Sequence, residues 1–222
     1  MITHPILFSG AMVRALLDGS KTQTRRALKV RCQEITERDD GSLWPWSENP
    51  DTAADHWHAC PYGQPGDRLW VRETFLDTLG TGVEHRDESG LRHRYAFAAD
   101  CAPGSYGDQA RKDYGLKWKP SIHMPREASR ILLEIVSVRV ERLSDISEAD
   151  AVAEGVLPVA KVRPFDEHEH QFWRDYRLSG DGTFCVRTPK ESFASLWRSI
   201  NGADSWEDSP WVWVVEFKRV MT

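Results

Sequence analysis

A run of hydroxyl and cationic side chains from Gly19 to Arg26 is the segment of the chain best suited to chemistry. It carries three hydroxyls and three cations within seven residues. Thr24 is a candidate nucleophile if a base removes its proton, and Lys21 is a candidate base. A free lysine has a pKa near 10.4, which must fall to about 7–8 for this task. Burial or the neighbouring charges of Arg25 and Arg26 would lower it.

The spacing of Lys21 and Thr24 sets a geometric condition. In a regular strand the two side chains face opposite sides. They converge only if the junction between helix and strand is irregular, or if Lys21 reaches around. A solvated basic strand is the alternative interpretation.

Glu73 is a second candidate because of its place in a predicted strand over Arg68–Phe75. It has the same parity as Leu69, Val71 and Phe75, so it faces the core, while Trp70 and Arg72 face the other side. A core-facing carboxylate is costly unless it is paired. We therefore expect Glu73 either to pair with an arginine or to line a pocket.

Glu154 lies at the end of a short helix. Ser147-Glu148-Ala149-Asp150 resembles a capping box that opens this helix, and Gly155 ends it. A carboxylate near a helix C-terminus opposes the dipole, a small penalty that a function would explain. A solvated surface glutamate is the alternative.

The segment from Lys117 to Arg126 interleaves cations with a tryptophan and two prolines. Such a rigid, positively charged loop suits phosphate contact and base stacking, and the alternative is a purely structural loop. Its candidate binding residues are Lys119, Ser121, His123 and Arg126.

Metal and cofactor chemistry has little support in the sequence. The spacing of His56, His58 and Cys60 matches no common structural zinc site, and His168-Glu169-His170 is equally weak. The four cysteines lie far apart and form no Cys-x-x-Cys motif. No glycine-rich phosphate loop is present, so we predict neither a metal nor a nucleotide cofactor.

The elements that must position these residues are short. A helix is predicted from Gly10 to Asp18, and a strand from Ile131 to Val140 whose inward parity switches near Ile135. A second helix follows the capping box at Thr188, and the closing strand Trp211–Phe217 is predicted to be buried on both faces. Polar insertions are predicted over 32–62, 77–117 and 157–187. Few helices between short strands predict a single α+β domain with a bent mixed sheet or small barrel.

Composition narrows the class of protein. The chain has 222 residues, 40% of them hydrophobic and 28% charged, which is typical of a soluble globular protein. The formal net charge of -5 excludes a globally basic nucleic-acid binder but not a local basic patch. No apolar run is long enough for a membrane span and no signal peptide is recognised, so we expect no membrane association and a cytoplasmic location. With ten tryptophans, we expect some at a binding surface.

Taken together, these segments resemble the ASCH domain family, and most closely its larger branch in bacteriophages and prophages. The resemblance covers roughly half of the chain and is carried by Ile6-Leu7-Phe8, Gly19–Arg26, Pro65–Glu73, Arg130–Arg142 with Leu143–Ser147, Glu154-Gly155 and Trp211–Lys218. It implies a PUA-like fold, a small mixed β-barrel with flanking short helices and long loop insertions.

The resemblance also implies an activity. Small bacterial members similar to this core are amidohydrolases that act on N4-acylated cytidines without a metal or cofactor. Residue by residue, it maps their site to Lys21, Thr24 and Glu154. Thr24 would attack the acyl carbonyl, Lys21 would take and return the proton, and Glu154 would stabilise or orient the intermediate.

Two other classes of function remain open. Some members of the family bind RNA and some cleave it, so the chain could be an RNA- or DNA-binding module in which cations contact phosphates. The expected partner is therefore a modified nucleoside or a nucleic acid, with RNA favoured over DNA. A phage accessory protein that binds another protein through its tryptophans is the third class. In the nucleic-acid-binding alternative, the phosphate contacts would come from Arg25, Arg26, Arg72, Lys119 and Arg126.

Overall fold

A computed structural model describes residues 1–87, 89–162, 170–177 and 184–220, without the side chains of 160–162. Within these ranges the chain forms four α-helices, fifteen β-strands and several sheets. The predicted α+β class is confirmed. No helix in the described ranges is long and apolar enough to cross a bilayer.

The helices are α1 Gly10–Leu17, α2 Tyr106–Asp113, α3 Glu148–Ala153 and α4 Pro189–Asn201. The strands are β1 Thr3–Leu7, β2 Gln23–Ala27, β3 Glu34–Glu37, β4 Leu43–Glu48, β5 Asp55–Trp57, β6 Arg68–Arg72, β7 Phe75–Asp77, β8 His85–Arg86, β9 Arg92–His93, β10 Tyr95–Phe97, β11 Leu132–Arg142, β12 Pro158–Val162, β13 His170–Arg174, β14 Cys185–Val186 and β15 Trp211–Val220.

The chain divides into two compact units. Unit 1 contains Met1–Gly19, Gly66–Glu134 and the C-terminal residues from Arg219, and unit 2 contains Ser20–Pro65 and Ile135–Lys218. Each unit thus combines segments that are distant in sequence.

Unit 1 is built on β1, β6 and the beginning of β11. Strand β1 runs parallel to β6, and β11 pairs antiparallel with β6 from Leu132 to Glu134. Helix α1 begins after Ser9, as predicted, and buries Val13 and Leu16. The predicted strand Arg68–Phe75 is interrupted after Arg72, and β7 begins at Phe75.

Unit 2 has the strand order β11-β15-β2. Strand β15 is buried on both faces from Val212 to Val215, as predicted, and pairs antiparallel with β2. Both predicted helix starts are observed. Thr188 and Glu191 form a complete capping box at α4, and at α3 the Ser147 side chain accepts a hydrogen bond from Asp150 N–H. The apolar core packs α3 and α4 against β15 and contains Leu143, Ile146, Ala151, Val156, Phe193, Trp197, Val212 and Val214.

The predicted insertions contain regular structure. Residues 32–62 hold the antiparallel sheet β3-β4-β5, and 77–117 hold two two-stranded ladders and α2. These strands are too short, or too polar, to show an apolar alternation in sequence. Within 157–187, the sheet β12-β13-β14 is described, whereas 163–169 and 178–183 lie outside the described residues.

The described strands do not close into a barrel. Strand β1 is an edge strand in unit 1, and β2 is an edge strand in unit 2. The α+β class is therefore observed, and the small barrel is not observed among the described strands.

The tryptophans are buried or half-buried. All ten tryptophans are described, and none is exposed. Arginine guanidinium groups lie near at least six of their rings, so these half-buried indoles make cation–π contacts within the chain. The pairs are Arg38 with Trp44 and Trp57, Arg72 with Trp70, Arg111 with Trp118, Arg142 with Trp211 and Arg198 with Trp206.

Candidate functional site

Lys21 and Glu154 meet inside unit 2. The Lys21 ammonium nitrogen donates to Glu154 Oε2 at 2.8 Å and to the Glu154 backbone carbonyl at 2.8 Å. The side chains are 0% and 3% exposed, respectively. A solvated basic strand and a solvated surface glutamate, the two alternatives left open by the sequence, are therefore wrong for this pair.

The end of α3 brings Glu154 to Lys21. Glu154 is the C-cap residue of α3, and Gly155 takes the left-handed conformation that ends the helix. Thr22 N–H donates to the Ala153 carbonyl at 2.9 Å, which ties the helix end to the segment before β2. Because Lys21 binds the free carbonyl of the C-cap, its charge also offsets the unfavourable position of a carboxylate at this end of the dipole.

Arg25 connects Glu154 to two further carboxylates. Its Nη1 lies 3.2 Å from Glu154 Oε1, its Nε 2.9 Å from Glu141 Oε1 and its Nη2 3.2 Å from Asp150 Oδ2. The Arg25 side chain is fully buried. Gln23 belongs to the same network, because its amide donates to the Asp150 carbonyl at 2.8 Å. A buried guanidinium shared by three carboxylates holds the Glu154 side chain in one orientation.

The pKa of Lys21 is lowered from its ordinary value. Burial is the main cause, and it outweighs the opposing effect of the Glu154 carboxylate. The positive charges of Arg26 and Arg25 lower this pKa further. Lys21 thus has the two properties that the sequence analysis required of a general base, burial and cationic neighbours.

Thr24 is buried on β2 but stands apart from this pair. Strand alternation places it opposite in parity to Gln23 and Arg25, whose side chains reach α3. Within the described part of the chain, no hydrogen bond joins the Thr24 hydroxyl to Lys21 or Glu154. The structure brings together two of the three predicted catalytic residues and leaves the third on the other face of the strand.

Arg26 has the same parity as Thr24 and is half-buried. Its charge acts on the pKa of Lys21 and also on that of Tyr62, which burial raises and Arg26 opposes. Of the arginines proposed for phosphate contact, Arg25 is committed to carboxylates.

The carboxylates around Arg25 were not predicted from the sequence. Glu141 and Arg139 lie two residues apart on β11, and Arg139 binds both Glu141 Oε2 at 3.1 Å and Asp150 Oδ1 at 3.3 Å. The available signal was parity, since Arg139 and Glu141 alternate with Val138 and Val140 along the strand. A buried arginine on β2 requires such partners.

Asp150 gives this network a measurable dependence on pH. Burial raises the pKa of its carboxyl, but the charge of Arg25, the hydrogen bond with Ser147 and the charge of Arg139 outweigh burial and lower it. The folded state then binds its proton less readily than the unfolded state, so Asp150 stabilises the fold above about pH 4 and this contribution is lost as the pH falls through the lowered pKa.

We expect Asp150→Asn to unfold at lower urea concentration than the natural protein at pH 7, with the difference shrinking as the pH falls below about 4. Urea titrations at pH 7, 4 and 3 measure this. Asp145→Asn, an exposed residue of the same unit, is the control and should change little at any pH. A difference for Asp150→Asn that stays constant across the series would contradict the assignment.

The candidates Trp70, Arg72 and Glu73 lie in unit 1. Glu73 is buried and accepts two hydrogen bonds from Arg130, at 2.9 Å to Oε1 and 3.0 Å to Oε2. Burial raises the pKa of Glu73, and Arg130 opposes this shift. Of the two alternatives left open for Glu73, pairing with an arginine is the one observed.

A shallow cavity of about 240 Å³ in unit 1 contains two of the predicted binding residues. Trp70 and Arg126 line it together with Ser129, Arg130, Ile131 and Leu132. Arg72 is held beside it, since its guanidinium donates to the Ile122 carbonyl and lies 5.4 Å from the centre of the Trp70 ring.

The remaining candidates lie on the segment that leads to this cavity. Lys119 is exposed and pairs through its backbone with Phe75. Ser121 and His123 form a 3-10 turn with Ile122, and His123 is exposed. The structure therefore places the unit 1 candidates on β6, at Glu73 directly after it, and on the segment from Lys119 to Arg126. In unit 2 it brings Lys21 and Arg25 to Glu154 and leaves Thr24 apart.

The described residues contain no cluster of three or more side chains arranged to hold a metal. His56 and His58 stack edge to face with ring centres 4.6 Å apart. The candidate residues His168 and Glu169 lie outside the described ranges.

Comparison of the chain with family models, with curated proteins and with solved structures found no match.

Proposed function

We propose that the protein is a metal-independent amidohydrolase of ASCH type that removes the acyl group from N4-acylated cytosine, cytidine or a related modified nucleobase. The observation that supports this proposal is the contact between the fully buried Lys21 and Glu154, with a lowered Lys21 pKa. A fully buried lysine whose pKa is lowered is unusual in a folded core and is suited to general base catalysis. The segments that resemble the ASCH family supply the substrate class and the PUA-like fold assignment.

In the proposed reaction, the neutral Lys21 amine takes the proton of the nucleophile as it attacks the acyl carbonyl carbon. Collapse of the tetrahedral intermediate breaks the bond between the carbonyl carbon and N4, and Lys21 returns the proton to the leaving amine. Water then completes the transfer, so one amide and one water give one carboxylic acid and one amine. Glu154 and Arg25 keep Lys21 oriented, and the positive charge of Arg25 favours its neutral form.

The nucleophile in this proposal is Thr24. Its assignment rests on the resemblance, because its hydroxyl is not bonded to Lys21. The hydroxyl is equally not tied to another described residue, and it lies three residues along the chain from the base. An ordered water activated by Lys21 is the alternative, and a pair of threonine variants distinguishes the two.

We expect the purified protein to convert N4-acetylcytidine to cytidine, and Thr24→Ala to reduce the rate by about 100-fold or more because an acyl-enzyme can no longer form. Thr24→Ser should retain activity, since it keeps the hydroxyl. Release of cytidine, followed chromatographically, measures all three rates.

Thr22→Ala is the matched control, because Thr22 is exposed and its hydrogen bonds are made by the backbone. It should leave the rate unchanged. Full activity in Thr24→Ala would assign the attack to water, and no cytidine from the natural protein at high enzyme concentration would refute the proposed function.

A further inference from the structure

A second charged cleft lies in unit 2 beside the beginning of α4. Its volume is about 590 Å³. The residues that line it include Arg177, Arg187, Lys190, Glu191, Arg198 and Trp206. None of these residues belongs to the Lys21–Glu154 pair or to the carboxylates around Arg25.

The charge of this cleft is opposite to that of the whole chain. Four of its lining side chains are cationic and one, Glu191, is acidic, whereas the chain carries a formal net charge of -5. A concave surface with a concentration of one charge attracts the opposite charge locally. The cleft is therefore locally suited to an anion, although the net charge of the chain is negative.

Two cations of the cleft, Arg187 and Arg198, are accessible to a ligand, whereas the Lys190 ammonium donates to the Ser144 carbonyl at 2.6 Å. Arg187 is exposed, and Arg177 is exposed in its pair with Asp175. Arg198 lies 2.5 Å from a Glu207 oxygen, and Glu207 is 59% exposed. Arg177 is held by the buried Asp175, whereas the carboxylate that pairs with Arg198 is exposed, and such pairs contribute little to stability. Arg198 can therefore exchange Glu207 for the oxygens of a phosphate.

The wall of the cleft is aromatic and apolar. Trp206 is half-buried, and the Phe193 ring packs edge-to-face against it with ring centres 6.1 Å apart. The Arg198 guanidinium lies 5.9 Å from the centre of the Trp206 ring. Val186 and Ala194 add apolar surface. A fixed indole beside arginines is the arrangement on which a planar base stacks while its phosphate is held by cations.

The backbone of α4 does not supply this site. Thr188 accepts from Glu191 N–H at 3.1 Å, and Glu148 accepts from Lys190 N–H at 2.9 Å. Because these amides are already satisfied, recognition must come from the side chains that line the cleft.

We propose that this cleft binds a nucleoside phosphate, with Arg187 and Arg198 on the phosphate and Trp206 against the base. Its volume falls within the range of about 300–1,000 Å³ typical of small-molecule sites. Phe193 is packed against Trp206, and its ring centre lies 6.0 Å from the Arg25 guanidinium, so one buried ring connects the cleft to the Glu154 network. The proposal is independent of the amidohydrolase activity.

The test is calorimetric binding of three probes to the full chain: pyrophosphate, adenosine 5′-diphosphate, and a ten-nucleotide single-stranded RNA. We expect the diphosphate nucleotide to bind more tightly than pyrophosphate, because only the nucleotide has a base to stack. Arg187→Gln and Arg198→Gln should each weaken nucleotide binding about tenfold, the effect of losing a charge-assisted hydrogen bond.

Arg142→Gln is the matched control. Arg142 is exposed and lies 4.3 Å from the centre of the Trp211 ring, in the same unit but outside the cleft. It should leave the affinity unchanged, and thermal unfolding checks that all three variants fold.

The RNA probe identifies the source of the ligand. Affinity for RNA well above that for the nucleotide, with a steep dependence on salt, would indicate the phosphates of a strand, and equal or weaker affinity would indicate a free nucleotide. No binding of any probe at millimolar concentration would overturn the proposal. Equal weakening by all three arginine variants would also overturn it, because the binding would then be a general charge effect.

Discussion

Lys21→Arg is expected to lower the rate of N4-acetylcytidine hydrolysis by about 10²–10⁴-fold, the range contributed by a general base. Arginine keeps a positive charge and donors for Glu154, but it cannot lose its proton at neutral pH. The variant therefore separates proton transfer from ion pairing. Cytidine release at saturating substrate measures the loss.

The pH profile of the natural enzyme gives an independent readout. Lys21 must be neutral to act, so the rate should rise with pH and level off below the ordinary lysine value of about 10.4, since the pKa of Lys21 is lowered. Arg26→Gln removes a charge that lowers this pKa, and it should move the rise to higher pH. Activity retained in Lys21→Arg, or an unchanged profile in Arg26→Gln, would contradict the role of Lys21.

Arg25→Met is expected to reduce the free energy of unfolding by about 3–5 kcal/mol, the cost of removing one partner from a buried ion pair. Methionine fills much of the same volume, but it leaves Glu141, Asp150 and Glu154 without the guanidinium that they share. Urea denaturation at pH 7 measures the change.

Arg198→Met is the control for this loss. Arg198 pairs with an exposed carboxylate, and breaking an exposed pair costs about 0–1 kcal/mol. If Arg25→Met destabilised the protein no more than Arg198→Met does, the network around Arg25 would not be the structural support of Glu154.

The two arginine variants also separate the proposals for unit 2. Arg25 acts on the orientation of Glu154 and on the pKa of Lys21, so its loss should affect hydrolysis as well as stability. Arg198 belongs to the cleft beside α4, so its loss should affect nucleotide binding alone. The proposed hydrolysis and the proposed nucleotide binding can therefore be refuted independently of each other.

Local features of this protein were predictable from its sequence because their causes are local. The capping residues Ser147 and Thr188, the glycine after Glu154 and the apolar alternation of β15 each act within a few residues. The same reasoning singled out Lys21 as a base, Glu154 as an anomalous carboxylate at a helix end, and Glu73 as a buried acid in need of a partner.

Only the tertiary structure decided which charged residues pair with each other. Glu154 is 133 residues from Lys21, and Arg130 is 57 residues from Glu73, so no spacing rule could pair them. The carboxylates around Arg25 come from β11 and α3. Because Thr24 and Arg25 point to opposite sides of β2, the side of β2 that packs against α3 decides which of the two residues reaches these carboxylates. The sequence could name the groups that need partners, since burial of a charge has the same cost wherever it occurs, but only the folded chain selects which distant groups meet that need.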